Sequence, residues 1–375
     1  MLRKTIAGIT CLTLLTGCNI SSRSSMYGSG GRTSYNIAAQ NTTNQELLLN
    51  LVRLRYSDTP YFLELNGITT QFNFSSGLSG AVNVPGGITP DNPAKIGGQI
   101  GYYNQPTIQY SPLEGKEFAA QLMRPINLRI IQGLLLTGWD VNRIFGLLVQ
   151  NLANIHNASS ASGPNPCFPI EYKSYAERLK LLNELYCLGD LDVGVRYIPA
   201  NDDDTDEERA IANEPNTIQI SFPTNAKNAE KLAELLEGTK KRGNKYVLNL
   251  RMSFNSEGYL GILTRSLLGT MYFLSQTVDV PPEDIGGGVV DIVRDDDGIP
   301  FDWKKIFGNL FKVKSSYSCP IDSYLSVSYR GKWFYIDDSD VESKRTFVLL
   351  QQIYNLQARV QDSEGPLLTI PIGGK

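Results

Sequence analysis

His156 is the only histidine among 375 residues, so any Ser-His-Asp or Cys-His arrangement has a single candidate base. It follows a run of helical spacing, and the chain holds neither a Gly-x-Ser-x-Gly elbow nor a serine three residues before a lysine. That makes it a helix-terminal or surface side chain. Zinc chemistry lacks its ligands too, since no His-Glu-x-x-His or Cys-x-x-Cys occurs. Carboxylates are more plentiful. Asp295-Asp296-Asp297-Gly298 has the look of a calcium loop, but aligning Gly298 with the turn glycine puts Val293 at the first ligand position and Lys304 at the last. It reads as a solvated acidic loop, as does Asp202 to Glu208. Asp337, Asp338, Asp340 and Glu342 open a helix, where capping and the macrodipole favour negative charge. Gly286-Gly287-Gly288 and Gly97-Gly98 lack the strand-loop-helix setting of a phosphate cradle. No cofactor or metal is expected, and the composition leans away from an enzyme.

The strongest chemical motif is Leu15-Thr16-Gly17-Cys18, which follows a charged start at Arg3 and Lys4 and an apolar stretch from Thr5 to Leu15. That stretch is too short to span a bilayer. The ensemble resembles the signal peptide and lipobox of bacterial lipoproteins. The resemblance implies cleavage before Cys18, acylation of the Cys18 thiol and amino group, and a bilayer hold firmer than one acyl chain provides. Asn19, where an aspartate would signal inner-membrane retention, implies the outer membrane, with the body facing the periplasm. Residues 18–35 comprise the acylated Cys and a flexible tether, whose stretch from Ser21 to Ser34, rich in Ser, Gly and Arg, has a reach of about 20 Å. In an oxidising periplasm Cys167 and Cys187 become a candidate disulfide, worth roughly 3 kcal/mol by chain entropy. Three reduced cysteines, with Cys319, are the alternative.

Net charge is −3, and removing Arg3 and Lys4 with the signal leaves −5. With no basic patch, nucleic acid is excluded as a partner. Ala161 to Pro169, with Gly163, Pro164 and Pro166, reads as a boundary. The expected organisation is therefore signal 1–17, acylated tether 18–35, a helical region with a long hairpin 36–160, and an α+β domain 161–375.

The elements follow from periodicity and caps. A Thr43/Glu46 capping box ahead of Leu47, Leu48, Leu51, Val52 and Leu54 predicts a helix over 44–57. Lys116 to Leu136 is helical with a break at Pro125, and Asp140 caps an apolar run from Val141 to Ile155. Ser174 and Glu177 form a second capping box, for a helix that Gly189 ends. Strands alternate over 191–197 and 218–222, with a helix over Ala226–Glu237 and a strand over Tyr246–Met252. Gly258 to Val278 reads as a buried apolar helix carrying one charge, Arg265. A hairpin turns at Arg330-Gly331-Lys332, and Ser339/Glu342 boxes a last helix over 341–356.

One stretch is unlike the rest. Between Glu64 and Glu114 the only charges are Asp91 and Lys95, and both flanks alternate with period two. Ile68, Phe72, Phe74, Leu78, Val82, Ile100, Tyr102 and Ile108 fall on even positions, while the odd ones carry mostly Thr, Gln, Asn, Ser and Gly. This predicts a long amphipathic hairpin with arms at about 68–84 and 96–110. Each arm exceeds the 9 to 11 residues a transmembrane strand needs. A single hairpin cannot close a barrel, so a membrane role requires several chains in a ring; the other reading packs the apolar side on the chain's own helices.

The fold class is α+β, with helices packed on antiparallel sheets. The expected function is that of a non-enzymatic outer-membrane lipoprotein, a subunit of a multi-protein envelope assembly for secretion or translocation, or of an oligomeric pore. Its partners would be the bilayer, through Cys18, and like or unlike protein chains. A carboxylate-dependent envelope hydrolase and a small-molecule binding lipoprotein are the alternatives.

Overall fold

The computed structural model describes residues 32–81, 95–196, 217–237, 239–252 and 259–357. The signal, Cys18, residues 18–31 of the tether, Val82, the turn holding Asp91 and the acidic loop at 202–208 lie outside them. The fold is α+β. In chain order it runs α1 (Arg32–Arg55), β1 (Leu63–Ala81), β2 (Lys95–Pro112), α2 (Lys116–Met123), α3 (Leu128–Leu136), α4 (Val141–Leu148), β3 (Val149–Leu152) and β4 (Ile155–His156). A 3-10 turn (Ser159–Ser162) leads to α5 (Tyr172–Leu188), β5 (Asp192–Arg196), β6 (Thr217–Pro223), α6 (Ala229–Leu235), β7 (Lys240–Arg242), β8 (Lys245–Arg251) and β9 (Leu260–Thr264). The chain closes with α7 (Leu267–Ser275), α8 (Pro282–Gly286), α9 (Lys304–Phe307), β10 (Lys314–Ser316), β11 (Ser323–Tyr329), β12 (Lys332–Asp337) and α10 (Val341–Gln357).

Two compact units emerge. Among the described residues, 32–43 and those within 62–113 belong to one, and 44–61 with those within 114–357 form the other. The boundary expected at 161–169 falls inside the second unit, because β3 pairs with β9 across it. That unit's larger sheet is ordered β4-β3-β9-β8-β6-β5, with β7 also on β8, and its pairs are antiparallel except β8 with β9. A second sheet, β10-β12-β11, turns at Arg330 and Gly331, whose φ values of 50° and 76° suit a tight hairpin. The core gathers Ile126, Ile131, Ile144, Leu148, Ile262, Leu267, Met271 and Phe273, all essentially inaccessible. Each such side chain contributes roughly 1.5–3 kcal/mol by leaving water.

Several element boundaries differ from the sequence reading, each for a local reason. α1 starts at Arg32, so residues 32–35 are helical rather than tether, and Thr43 lies inside the helix. Its hydroxyl donates back to the Ala39 carbonyl at 3.0 Å instead of capping Glu46. α5 begins at Tyr172, ahead of the Ser174/Glu177 box, and Glu177 instead pairs with Lys231 at 2.7 Å. Gly189 does end that helix in the left-handed region, at φ 77°. At the last helix Asp340, one residue past Ser339, accepts from the Ser343 N–H at 3.0 Å.

Two further corrections change element type. The run from Val141 to Ile155 stays helical only to Leu148, then becomes β3. The Asn157 amide donates to the carbonyls of Gly146 and Val149 at 2.8 and 2.9 Å, and Arg265 Nη1 donates to those of Leu147 and Val149. These distant donors satisfy the orphan carbonyls at the end of α4 and let the chain leave the helix. The run from Gly258 to Val278 divides likewise: β9 enters the sheet between β3 and β8, and Ser266 caps α7 by accepting from Gly269 N–H at 2.9 Å. Among the described residues no helix is long and apolar enough to cross a membrane.

A polar hub joins the turn just after α1, α8 and the β11–β12 hairpin. Lys332 Nζ lies 2.7 Å from Asp284 and 3.1 Å from Glu283, while the Tyr56 hydroxyl donates to Asp284 at 2.6 Å. The Lys332 bond, then the Tyr56 bond, holds the Asp284 carboxyl below its ordinary value of 3.8. A carboxyl depressed on folding stabilises above its unfolded pKa and loses that contribution as pH falls through the folded one. Asp284→Asn should therefore flatten the loss of stability below about pH 4 in acid-unfolding curves. An unchanged acid limb would show that the hub does not carry it.

Candidate assembly interface

β1 and β2 form a two-stranded antiparallel ribbon running from Leu63↔Pro112 to Ala81↔Lys95. A bulge between Leu65 and Gly67 separates its base from a regular ladder, Gly67↔Gln109 through Ala81↔Lys95. Along that ladder even positions stand opposite even positions. Ile68 meets Ile108, Phe74 meets Tyr102, Ser76 meets Ile100 and Leu78 meets Gly98. Odd positions meet odd ones, Thr69 with Thr107, Gln71 with Gln105 and Ser75 with Gly101. The two strands' alternations are thus in phase, and one face of the ribbon is apolar by sequence while the other is polar and uncharged. The register also places Asn104 opposite Phe72 and Pro106 opposite Thr70, which interrupt the apolar face. From Leu65↔Tyr110 to Gly80↔Ile96 neither strand holds a charged residue.

Among the described residues no third strand joins this ribbon. Above the bulge, the outer edge of each strand therefore has no ladder partner among the described residues. A two-stranded ribbon alone is marginal in water. Natural exposed edges are usually guarded by lysines, inward-pointing charges or repeated prolines, and these are nearly free of such guards.

The residues suited to catalysis are committed elsewhere. His156 sits on β4, exposed, with Nδ1 2.8 Å from Ser159 Oγ, but that hydroxyl donates to the Gln150 carbonyl at 2.8 Å and is not poised as a nucleophile. The His156 N–H donates to Glu171 at 2.7 Å, tying the loop to the start of α5. Asp295 accepts from the N–H groups of Asp297 and Ile299, closing its own turn. Asp337 pairs with Lys314, Asp338 with Lys344, and Glu342 with Arg143 and Arg345. No metal-holding group of His, Cys, Asp or Glu occurs among the described residues. Cys167, Cys187 and Cys319 are free and exposed, so the Cys167–Cys187 bridge does not form here. α5 carries Cys187 roughly 22 Å from its first turn, while the Cys167 N–H is held by Ser160 Oγ at 2.9 Å.

An open cleft of about 670 Å³ lies between the end of α7, the 301–312 segment and the start of α10. Its floor is the buried Phe301, Trp303, Phe307 and Phe311. Of the charges around it, Asp279 pairs with Lys312 at 3.1 Å, and Asp340 caps α10. The volume suits a small molecule, and the lining includes Gln276, whose Oε1 is buried without a hydrogen-bond partner among the described residues.

Sequence reasoning singled out Arg265 as the one charge of a buried run without its partners, and it missed the buried guanidinium of Arg143. Arg143, 2% exposed, spans from Asp140 on its own helix to Glu342 and Thr346 on α10. Arg265, wholly buried, stacks over the Phe273 ring at 3.7 Å. Its desolvation pulls the pKa down to about 9. A lone arginine inside an apolar run was the one available signal for the second; nothing local marked the first. Set against protein-family models, characterised proteins and solved structures, the chain matches none.

Proposed function

We propose that this chain is a lipid-anchored, non-enzymatic subunit of an envelope assembly at the outer membrane, facing the periplasm, and that the β1–β2 ribbon is the part through which it joins other subunits. The ribbon carries this reading: a long ladder, free of charge from Leu65↔Tyr110 to Gly80↔Ile96, whose strands have no third partner among the described residues. The acyl anchor expected at Cys18 supports it by confining copies to one surface, which raises their effective concentration. The committed carboxylates and the occupied Ser159 hydroxyl weigh against the hydrolase alternative.

Extraction in a mild detergent followed by light scattering tests the proposal. A protein mass at least twice that of one chain, 41.5 kDa before processing, is expected. A single-chain mass in every mild detergent, from membranes crosslinked beforehand as well as untreated ones, would overturn it.

A further inference from the structure

We infer that the partner at both ribbon edges is another copy of this chain, with copies closing a ring in which β1 of each pairs antiparallel with β2 of the next. The inference rests on the assembly reading and names its partner. β1 and β2 run in opposite directions, so the two outer edges of one ribbon have opposite polarity. Rotating a copy about a common axis brings its β1 edge beside the β2 edge of its neighbour, and the new pair is antiparallel like the old one. The strands, of 19 and 18 residues, match along nearly their whole length. A two-fold β1-to-β1 contact would leave both β2 edges open, whereas ring closure leaves none.

The alternation in sequence fits a barrel wall. Even positions would face lipid and odd positions, with Thr69, Gln71, Asn73, Ser75, Gln99, Gln105 and Thr107, a watery lumen. The ladder above the bulge has fifteen rungs from Gly67↔Gln109 to Ala81↔Lys95. At about 3.3 Å per residue and a tilt of 35–45° it rises about 35–40 Å, enough to cross a hydrocarbon core of about 25–30 Å. Two strands per copy give the even strand number of known bacterial barrels, and 8 to 26 strands correspond to about four to thirteen copies.

The test uses the full chain in its native membrane, with Cys167, Cys187 and Cys319 replaced by serine and Cys18 retained. Two differently tagged versions are co-expressed, one carrying Thr69→Cys on β1 and the other a single cysteine on β2, in the series Gln99→Cys, Tyr103→Cys, Gln105→Cys, Thr107→Cys and Gln109→Cys. After mild oxidation, one or two neighbouring members of the series should give a two-tag disulfide dimer at least tenfold above the rest. Pairing Thr69→Cys with itself should give none. Native mass of each variant shows whether the assembly survives the substitutions. A large native mass with no dimer anywhere in the series would overturn the inference while leaving the assembly reading intact, since an unlike chain would then hold the edges. A dimer confined to Thr69→Cys with itself would replace the ring by a two-fold contact. Single-chain mass for the unsubstituted protein would remove both.

Discussion

Replacing Cys18 with serine is expected to abolish acyl labelling and to shift the newly made protein out of the outer-membrane fraction. One acyl chain holds a protein only marginally, with a binding constant of about 10⁴ M⁻¹, while each added chain contributes about 0.8 kcal/mol for every methylene it buries. A lipoprotein carrying several chains is therefore held many orders of magnitude more firmly than its unacylated form. Among the described residues no helix offers a second, spanning anchor. Metabolic labelling with a palmitate analogue, followed by fractionation, reads both effects. Equal labelling of the serine variant would remove the basis for placing the protein at the outer membrane. Lost labelling with unchanged membrane recovery would mean that the ribbon alone holds the chain in the bilayer.

The second large effect lies at Arg265. Its Nε donates to Ser162 Oγ at 2.9 Å, Nη1 to the carbonyls of Leu147 and Val149 at 3.0 and 2.8 Å, and Nη2 to that of Asn157. Its own backbone also takes part: its N–H donates to Leu148 C=O at 2.7 Å, and its C=O accepts from Ile126 N–H at 3.0 Å. One residue thus ends α4, positions the 157–162 turn and ties both to the Ile126 backbone, directly before the Ser266 cap of α7. Arg265→Ala strands buried acceptors at about 1–3 kcal/mol each and opens a cavity over Phe273, for an expected loss of about 3–5 kcal/mol. Arg265→Met should cost less, because methionine refills the space and removes a desolvated charge, though the carbonyls stay unpaired. Arg265→Lys should fall between, since an ammonium reaches fewer of the four acceptors than the planar fork does. Urea unfolding followed by tryptophan fluorescence orders the three variants. A midpoint for the alanine variant close to that of the unsubstituted protein would show that the arginine is not what joins these elements.

The sequence by itself determined what depends on near neighbours. The alternation on either side of residues 82–94 needs only the period of a strand, and Asp140, Gly189 and Arg330-Gly331 act through caps and turns whose geometry is local. The lipobox-like string Leu15-Thr16-Gly17-Cys18 that carries the anchor proposal is likewise local. Only the tertiary structure decided where helical periodicity gives way. Val149–Leu152 and Leu260–Thr264 lie in stretches whose apolar spacing could propagate a helix, and they become strands because each finds the other in the sheet. The carbonyls freed at Leu147 and Val149 are met by Asn157 and Arg265, the latter over a hundred residues away, so no local window contains the donors. Thr43 shows the same dependence in reverse: its type and its spacing to Glu46 suit a cap, yet with the helix already running from Arg32 its hydroxyl had only the Ala39 carbonyl to bond. The polar hub at Lys332 and the guanidinium of Arg143 belong to this second class, since their partners meet only when α1, α4, α8 and α10 have packed. Local propensity sets which conformations a segment can adopt, and long-range pairing of backbone polar groups selects among them, because an unpaired buried donor or acceptor costs more than the propensity difference between helix and strand.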